Sequence, residues 1–194
     1  GPDISGDELA QLYAKLDKLE DGDTLILAGS IPSSLPSDIY EKILQRLSGR
    51  DIRTVVDATK ELLLNTLKYR PFLIKPNNFE LGELFGVTLE SDDDIMHYAK
   101  KLQEMGARNI LVSMAENGAI LLDESGNFHR CGVCKGTVVN SVGAGDSMLA
   151  GFIAGKEKGD DDYALRLGTA AGGATTFSEG LATGEEIMRL IEEL

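Results

Sequence analysis

The sequence predicts an α/β fold: a mostly parallel sheet with helices on both faces and a short antiparallel section near residues 119–139. Three observations carry the prediction. Short apolar or β-branched runs alternate with segments of helical periodicity through residue 118, as strand–helix–strand units require. Thr24–Ala28 is a short apolar run of the kind that makes a strand buried on both faces. From Ala119 the texture changes to closely spaced short runs around a Ser125-Gly126 turn, a hairpin pattern. At 194 residues the chain suits a single α/β domain, residues 1–194, able to bury about 70% of its unfolded surface.

Ser5-Gly-Asp-Glu8 forms a capping box, and Leu9, Leu12, Leu16 and Leu19 follow at helical spacing, predicting a helix to about Glu20. Thr24–Ala28 is the first strand, and Gly29-Ser-Ile-Pro32 ends it. Pro36–Leu47 is helical with Ile39, Ile43, Leu44 and Leu47 on one face, and Arg53–Asp57 is the next strand, with Asp57 read as a capping residue. Glu61–Lys68 is helical, Phe72–Lys75 a strand and Asn78–Phe85 a short helix. Asp92–Met105 carries Ile95, Tyr98, Ala99 and Leu102 inward, before the strand Asn109–Ser113. Ala119–Asp123, Phe128-His129 and Thr137–Val139 read as short antiparallel strands. Helices follow at 143–156, Tyr163–Phe177 and Glu185–Leu194. Gly29, Asp57, Lys75, Asn77 and Ser113 all fall at or just after strand ends, where open parallel sheets bind ligands.

The composition narrows the function. A net charge of −13 opposes nonspecific binding to nucleic acid or anionic lipid, so a phosphate ligand needs backbone N–H groups, a metal ion or a few placed cations. No apolar run approaches the roughly 20 residues of a membrane span and no signal peptide is evident, so a cytoplasmic protein is expected. Cys131 and Cys134 form a lone C-x-x-C with His129 nearby and no evident fourth ligand, which reads as two reduced thiols. Gly1-Pro2 is compatible with either a vector remnant or native sequence.

The chemistry centres on Lys135–Phe152. An extended Thr137–Val139 leads into Gly143-Ala144-Gly145, then Asp146, then a helical pattern of Met148, Leu149, Phe152 and Ile153. The glycines allow close backbone approach, and a helix start leaves N–H groups unpartnered, so the turn can hold an anion. A carboxylate beside a bound phosphate is repelled by it, and makes sense if Asp146 takes a proton from an attacking hydroxyl. Asp146 as a partner of the helix dipole is the plainer alternative. In Lys75-Pro-Asn-x-x-Glu80, Pro76 presets an extended Lys75, and Asn77 with Glu80 suits a capping box.

Asn140–Gly151 closely resembles the second signature of the PfkB sugar kinases, a family with the ribokinase-like fold. Gly29–Pro32, Phe72–Asn77 with Glu80-Leu81, and Val112–Gly118 resemble further family segments in the same order. The resemblance implies ATP- and Mg2+-dependent phosphoryl transfer to a hydroxyl of a ketohexose phosphate, with fructose 1-phosphate expected and tagatose 6-phosphate the alternative. It implies Asp146 as general base and the amides of Gly143, Ala144 and Gly145 as the anion hole. ATP contacts are implied for Lys75, Asn77, Gly145, Asp146 and the loop Ser113, Met114, Ala115, Glu116, Asn117 and Gly118. Asn77 and Glu80 are implied to arrange Mg2+ through water. Ala115 departs from the family pattern, where glycine is common; at positive φ an alanine costs on the order of 1 kcal/mol. Ala170, Gly172, Gly173 and Ala174 form a small-residue face that suits an adenine ring or close helix packing.

The resemblance covers only the carboxyl-terminal part of a typical family member, with the amino-terminal strands and lid absent. An incomplete enzyme with an exposed sheet edge, open to homodimer formation, is therefore expected. A nucleotide-binding fragment without catalysis is the rival reading. A Rossmann dehydrogenase is rejected, because Met148 stands where the third glycine of that fingerprint belongs.

Overall fold

β1 (Thr24–Ala28), β2 (Arg53–Asp57), β3 (Leu73–Ile74) and β4 (Asn109–Ser113) pair side by side in parallel, each reached through intervening helix. β5 (Ala119–Leu122) and β6 (Phe128–Cys131) complete a six-stranded sheet in the order β1-β2-β3-β4-β5-β6. The computed structural model describes residues 3–194, so Gly1 and Pro2 lie outside the described residues. The chain divides into two compact units, one running to Glu90 and resuming at His97–Ile110, the other comprising Ser91–Met96 and Leu111–Leu194.

In the first unit the strand register is Ala28↔Asp57 and Val56↔Ile74, with Val55, Val56, Leu73 and Ile74 fully buried. Gly29, Asp57, Lys75 and Asn77 therefore meet at the carboxyl ends of β1–β3. The helices are α1 (Gly6–Leu16), α2 (Ile39–Arg46), α3 (Lys60–Leu64), α4 (Asn78–Phe85) and α5 (Asp92–Glu104), the last beginning in the second unit. The predicted box opens α1, with Ser5 N–H donating to Glu8 at 2.7 Å and Glu8 N–H to Ser5 Oγ at 3.3 Å. α1 ends before the expected Glu20, at the Asp17 cap, whose carboxylate receives the Arg46 guanidinium at 2.6 Å on both oxygens. The expected helix Glu61–Lys68 is interrupted: the Thr66 hydroxyl donates to Leu63 O at 2.6 Å, and the chain continues as a 3-10 turn, Leu67–Tyr69, closed by a left-handed Arg70. β1 stands at one end of the strand order, with Ile26 43% exposed.

In the second unit β5 and β6 form the antiparallel hairpin, paired from Ala119↔Cys131 to Leu122↔Phe128. The strand expected at Thr137–Val139 does not form, so the antiparallel section stops at Cys131. β-branched residues favour extension, but a strand needs a partner edge. Here Val139 and Asn140 N–H both donate to Thr176 O, at 2.9 and 3.1 Å, and Val138 is left 69% exposed. α6 (Ala144–Lys156), α7 (Asp161–Thr176) and α8 (Gly184–Ile191) follow. A Cβ at Gly155 would stand 2.5 Å from Ala164 Cα, one at Gly151 2.8 Å from Leu167 O and one at Gly172 3.1 Å from Ala144 O. α6 and α7 thus meet backbone to backbone. Gly173 packs on Cys134, and Ala170 and Ala174 pack with Leu190 and Ile191, so the small-residue face serves helix packing.

Among the described residues no helix is long and apolar enough to cross a membrane. Gly155→Ala is expected to destabilise the fold by about 1–3 kcal/mol, because a backbone atom of α7 must move to admit the methyl; a lower urea midpoint with unchanged slope checks it.

Candidate active site

Within the first unit the sheet end is built by three contacts. Gly29, at φ 85°, turns the chain out of β1 while its N–H donates to Asp57 O at 3.2 Å. The Tyr40 hydroxyl reaches Ala28 O at 2.7 Å and Gly29 O at 3.1 Å. Burial raises the pKa of this phenol, and the Asp57 carboxylate adds to the rise, so Tyr40 remains a neutral donor. Lys75 Nζ lies 3.1 Å from Asp57 Oδ2, with the lysine side chain 7% exposed. Asp57 is thus the counter-charge of Lys75 and not the cap of α3, whose N-cap is Thr59. Sequence reasoning missed this pair, because no local pattern connects the two residues.

Two residues beyond Lys75, Asn77 opens α4 as N-cap. Its Oδ1 accepts from Glu80 N–H at 2.8 Å, and Glu80 Oε2 accepts from Asn77 N–H at 2.8 Å. The capping box is formed, and the other Glu80 carboxylate oxygen has no bond to another of the described residues. A hard cation such as Mg2+ takes carboxylate oxygens together with several waters, so a half-buried Glu80 with one oxygen to spare fits a water-mediated role. Ile31 and Pro32 enter the wall of a groove of about 840 Å3 together with Thr59, Lys60 and Glu83. Lys60 holds the left-handed region at φ 54°.

In the second unit Ser113 ends β4, and Met114–Gly118 folds back on itself: Met114 N–H donates to Gly118 O at 2.9 Å and Gly118 N–H to Ala115 O at 3.1 Å. Ala115 sits at φ 48°, the positive value at which its methyl is strained. Ala115, Glu116 and Asn117 are exposed and Met114 is buried. Gly118, at φ 80°, has a specific neighbour: a Cβ there would lie 2.2 Å from Cys131 O. Its close approach is to the end of β6.

The mouth of α6 is formed by Gly143 at φ 82° as N-cap, with no side-chain cap. Ala144 N–H is engaged by Ser141 O at 3.2 Å, and Ser147 N–H bonds Gly143 O at 2.9 Å. Gly145 and Asp146 N–H have no acceptor among the described residues, and Asp146 stands exposed in the first turn with no ion partner. Two free amides, the helix dipole and a free carboxylate therefore share one turn.

A second charged cluster was also missed from sequence. His129 Nδ1 lies 2.8 Å from Asp162 Oδ1 and its Nε2 3.1 Å from Asp123 Oδ2. Burial pulls the imidazole pKa down, but the hydrogen bonds and charges of the two carboxylates outweigh it and raise the value. Burial pushes Asp123 up, and its hydrogen bonds from His129 and Asn127 more than reverse this, to about 2. Ligand atoms of Asp123, His129 and Asp161 gather within 4.8 Å, and Lys156 Nζ stands 2.5 Å from Asp161 Oδ1. Cys131 and Cys134 are buried free thiols, and burial lifts Cys134 to about 11, as expected of inert cysteines.

Residues 3–188 match the pfkB family carbohydrate kinase description. The chain is 45% identical over 195 residues to a 1-phosphofructokinase of Bacillus subtilis, a match covering all of this chain and 64% of the relative. It is 36% identical over 183 residues to a D-tagatose-1-phosphate kinase of Bacillus licheniformis, covering 93% of this chain and 60% of that one. The solved structure of Escherichia coli phosphofructokinase-2 in complex with substrates and products superposes with a TM-score of 0.93 at 28% identity, over 100% of this chain and 64% of that chain. The chain therefore spans a little under two thirds of the length of these relatives.

Two outcomes follow from the geometry. Ala115→Gly is expected to raise stability by on the order of 1 kcal/mol, seen as a higher urea midpoint, because the alanine is exposed and strained at its positive φ. The His129 contribution is complete below its ordinary value of about 6.5 and is lost as pH rises through the raised folded value, whereas that of Asp123 is lost only as pH falls from about 4 towards 2. Urea midpoints should therefore decline as pH rises from about 6.5 through the raised folded value, and His129→Phe should flatten that decline.

Proposed function

Because the chain belongs to the pfkB family of carbohydrate kinases, we propose that it carries the nucleotide-binding and catalytic parts of a sugar-phosphate kinase. The reaction is phosphoryl transfer from ATP to a hydroxyl of a ketohexose phosphate, with fructose 1-phosphate the acceptor and fructose 1,6-bisphosphate the product. The 45% identity to a relative named 1-phosphofructokinase supports this acceptor. The relatives named D-tagatose-1-phosphate kinase support a second reading, with D-tagatose 1-phosphate as the acceptor in place of the tagatose 6-phosphate expected from sequence.

The observation that carries the reading is the turn at the start of α6, where the Gly145 and Asp146 amides and the exposed Asp146 carboxylate have no partner among the described residues. The amides stabilise negative charge on the transferring phosphoryl group, and the Asp146 carboxylate accepts the proton of the attacking hydroxyl. Ala144 N–H, already engaged, contributes less than its two neighbours. ATP contacts are proposed separately for Lys75 in the first unit and for the Ser113–Gly118 loop in the second, and Glu80 with Asn77 would hold Mg2+ through water. When bound, Mg2+ neutralises charge on the phosphates; the residues of this chain position them.

Assayed with Mg·ATP and fructose 1-phosphate in a polypeptide of the relatives' full length, Asp146→Asn should lower kcat by roughly 10²-fold or more while leaving nucleotide binding and melting temperature in place. Unchanged turnover with a lower melting temperature would assign Asp146 to helix capping alone.

A further inference from the structure

A lysine that is 7% exposed at the carboxyl end of a parallel sheet needs an explanation, because ammonium groups leave water at high cost. The register supplies part of it. Val56 pairs with Ile74, so the next residues, Asp57 and Lys75, arrive as parallel neighbours on one face, and their charged atoms stand 3.1 Å apart. An ammonium carries three N–H donors. Asp57 is its one polar partner among the described residues, so donors remain on Lys75 that no other residue accepts. A buried cation with donors to spare at the ligand end of a sheet is arranged for an anionic guest.

We propose that Asp57 is a positioning residue that acts through Lys75, holding the ammonium at the strand end so that its remaining donors meet the ATP phosphates. This rests on the kinase reading above. A lysine side chain has four carbons of freedom and drifts towards water when nothing holds it. The Asp57 carboxylate removes that freedom and offsets the charge in a site that solvent scarcely reaches. Asp57 is itself placed from three sides: its backbone belongs to β2, its carbonyl accepts Gly29 N–H at 3.2 Å, and the Tyr40 ring lies close enough for its charge to be felt. Its task is orientation, and it makes no contact with the nucleotide.

The proposal is tested by calorimetric titration of this chain with Mg·ATP and, separately, with adenosine, which shares the base and sugar but carries no phosphate. Asp57→Asn should weaken Mg·ATP by about tenfold or more, the usual effect of losing one charge-assisted contact, and leave adenosine unchanged. Asp57→Glu should restore part of the loss. In a Lys75→Met background the Asp57→Asn change should add no further loss, because its effect passes through the lysine. Should Asp57→Asn fail to fold, the paired Asp57→Leu, Lys75→Met variant removes both charges together, and it should fold, bind adenosine normally and bind Mg·ATP no better than Lys75→Met alone. Equal loss for Mg·ATP and adenosine, no loss for Asp57→Asn, or additive losses in the double variant would each overturn the positioning role while leaving the kinase reading standing. An unmodified chain that binds neither Mg·ATP nor adenosine would overturn both.

Discussion

Register between parallel strands is the constraint on which the first unit depends. Side chains of a strand alternate faces, so a slip of one residue would turn Lys75 away from Asp57 and bring an apolar neighbour in its place. The pairing of Ala28 with Asp57 and of Val56 with Ile74 prevents this, because Val55, Val56, Leu73 and Ile74 are fully buried. The polar groups at the strand ends are positioned by the apolar residues just behind them. The same register brings Gly29 N–H to the Asp57 carbonyl, and Tyr40 secures the carbonyls of Ala28 and Gly29 from the side.

In the second unit the corresponding constraint is the absence of side chains. Gly151, Gly155, Gly168 and Gly172 let α6 and α7 approach until backbone atoms touch, and the Ser147 and Thr175 hydroxyls bond at 2.8 Å near the mouth of α6. Such a contact has little freedom to slide, so the turn that begins α6 is held from behind. Gly172, on the small-residue face that suits an adenine ring in the sequence, is one of the glycines at this helix contact.

Most of the architecture was legible because its signals are local. The runs Thr24–Ala28, Arg53–Asp57 and Asn109–Ser113 and the helix Asn78–Phe85 appear with the bounds read from periodicity and capping. The failures are equally instructive. Thr137–Val139 has strand composition and no strand partner, since its donors go to the carbonyl that ends α7. Glu61–Lys68 has helical periodicity, but Thr66 turns its hydroxyl back on Leu63 and breaks it. The residues of the candidate site could be named from motif spacing, whereas the pairs that support them could not. Asp57 with Lys75 and His129 with Asp162 join residues separated by whole elements, and Asp123 meets His129 across the β5–β6 turn. Nor can a motif reveal that the Cys131 carbonyl leaves no room for a side chain at Gly118.

The histidine set between two carboxylates also bears on the electrical bookkeeping of the molecule. A neutral imidazole has one N–H, so it would turn a bare lone pair towards one of the two acids; the doubly protonated ring satisfies both. The formal charge of −13 counts both histidines as neutral. Because the two carboxylates raise its pKa, His129 keeps its proton to higher pH in the folded chain than in the unfolded one, and over that interval the folded form is the less anionic, so native and denatured forms should migrate differently in an electric field for a reason unrelated to size.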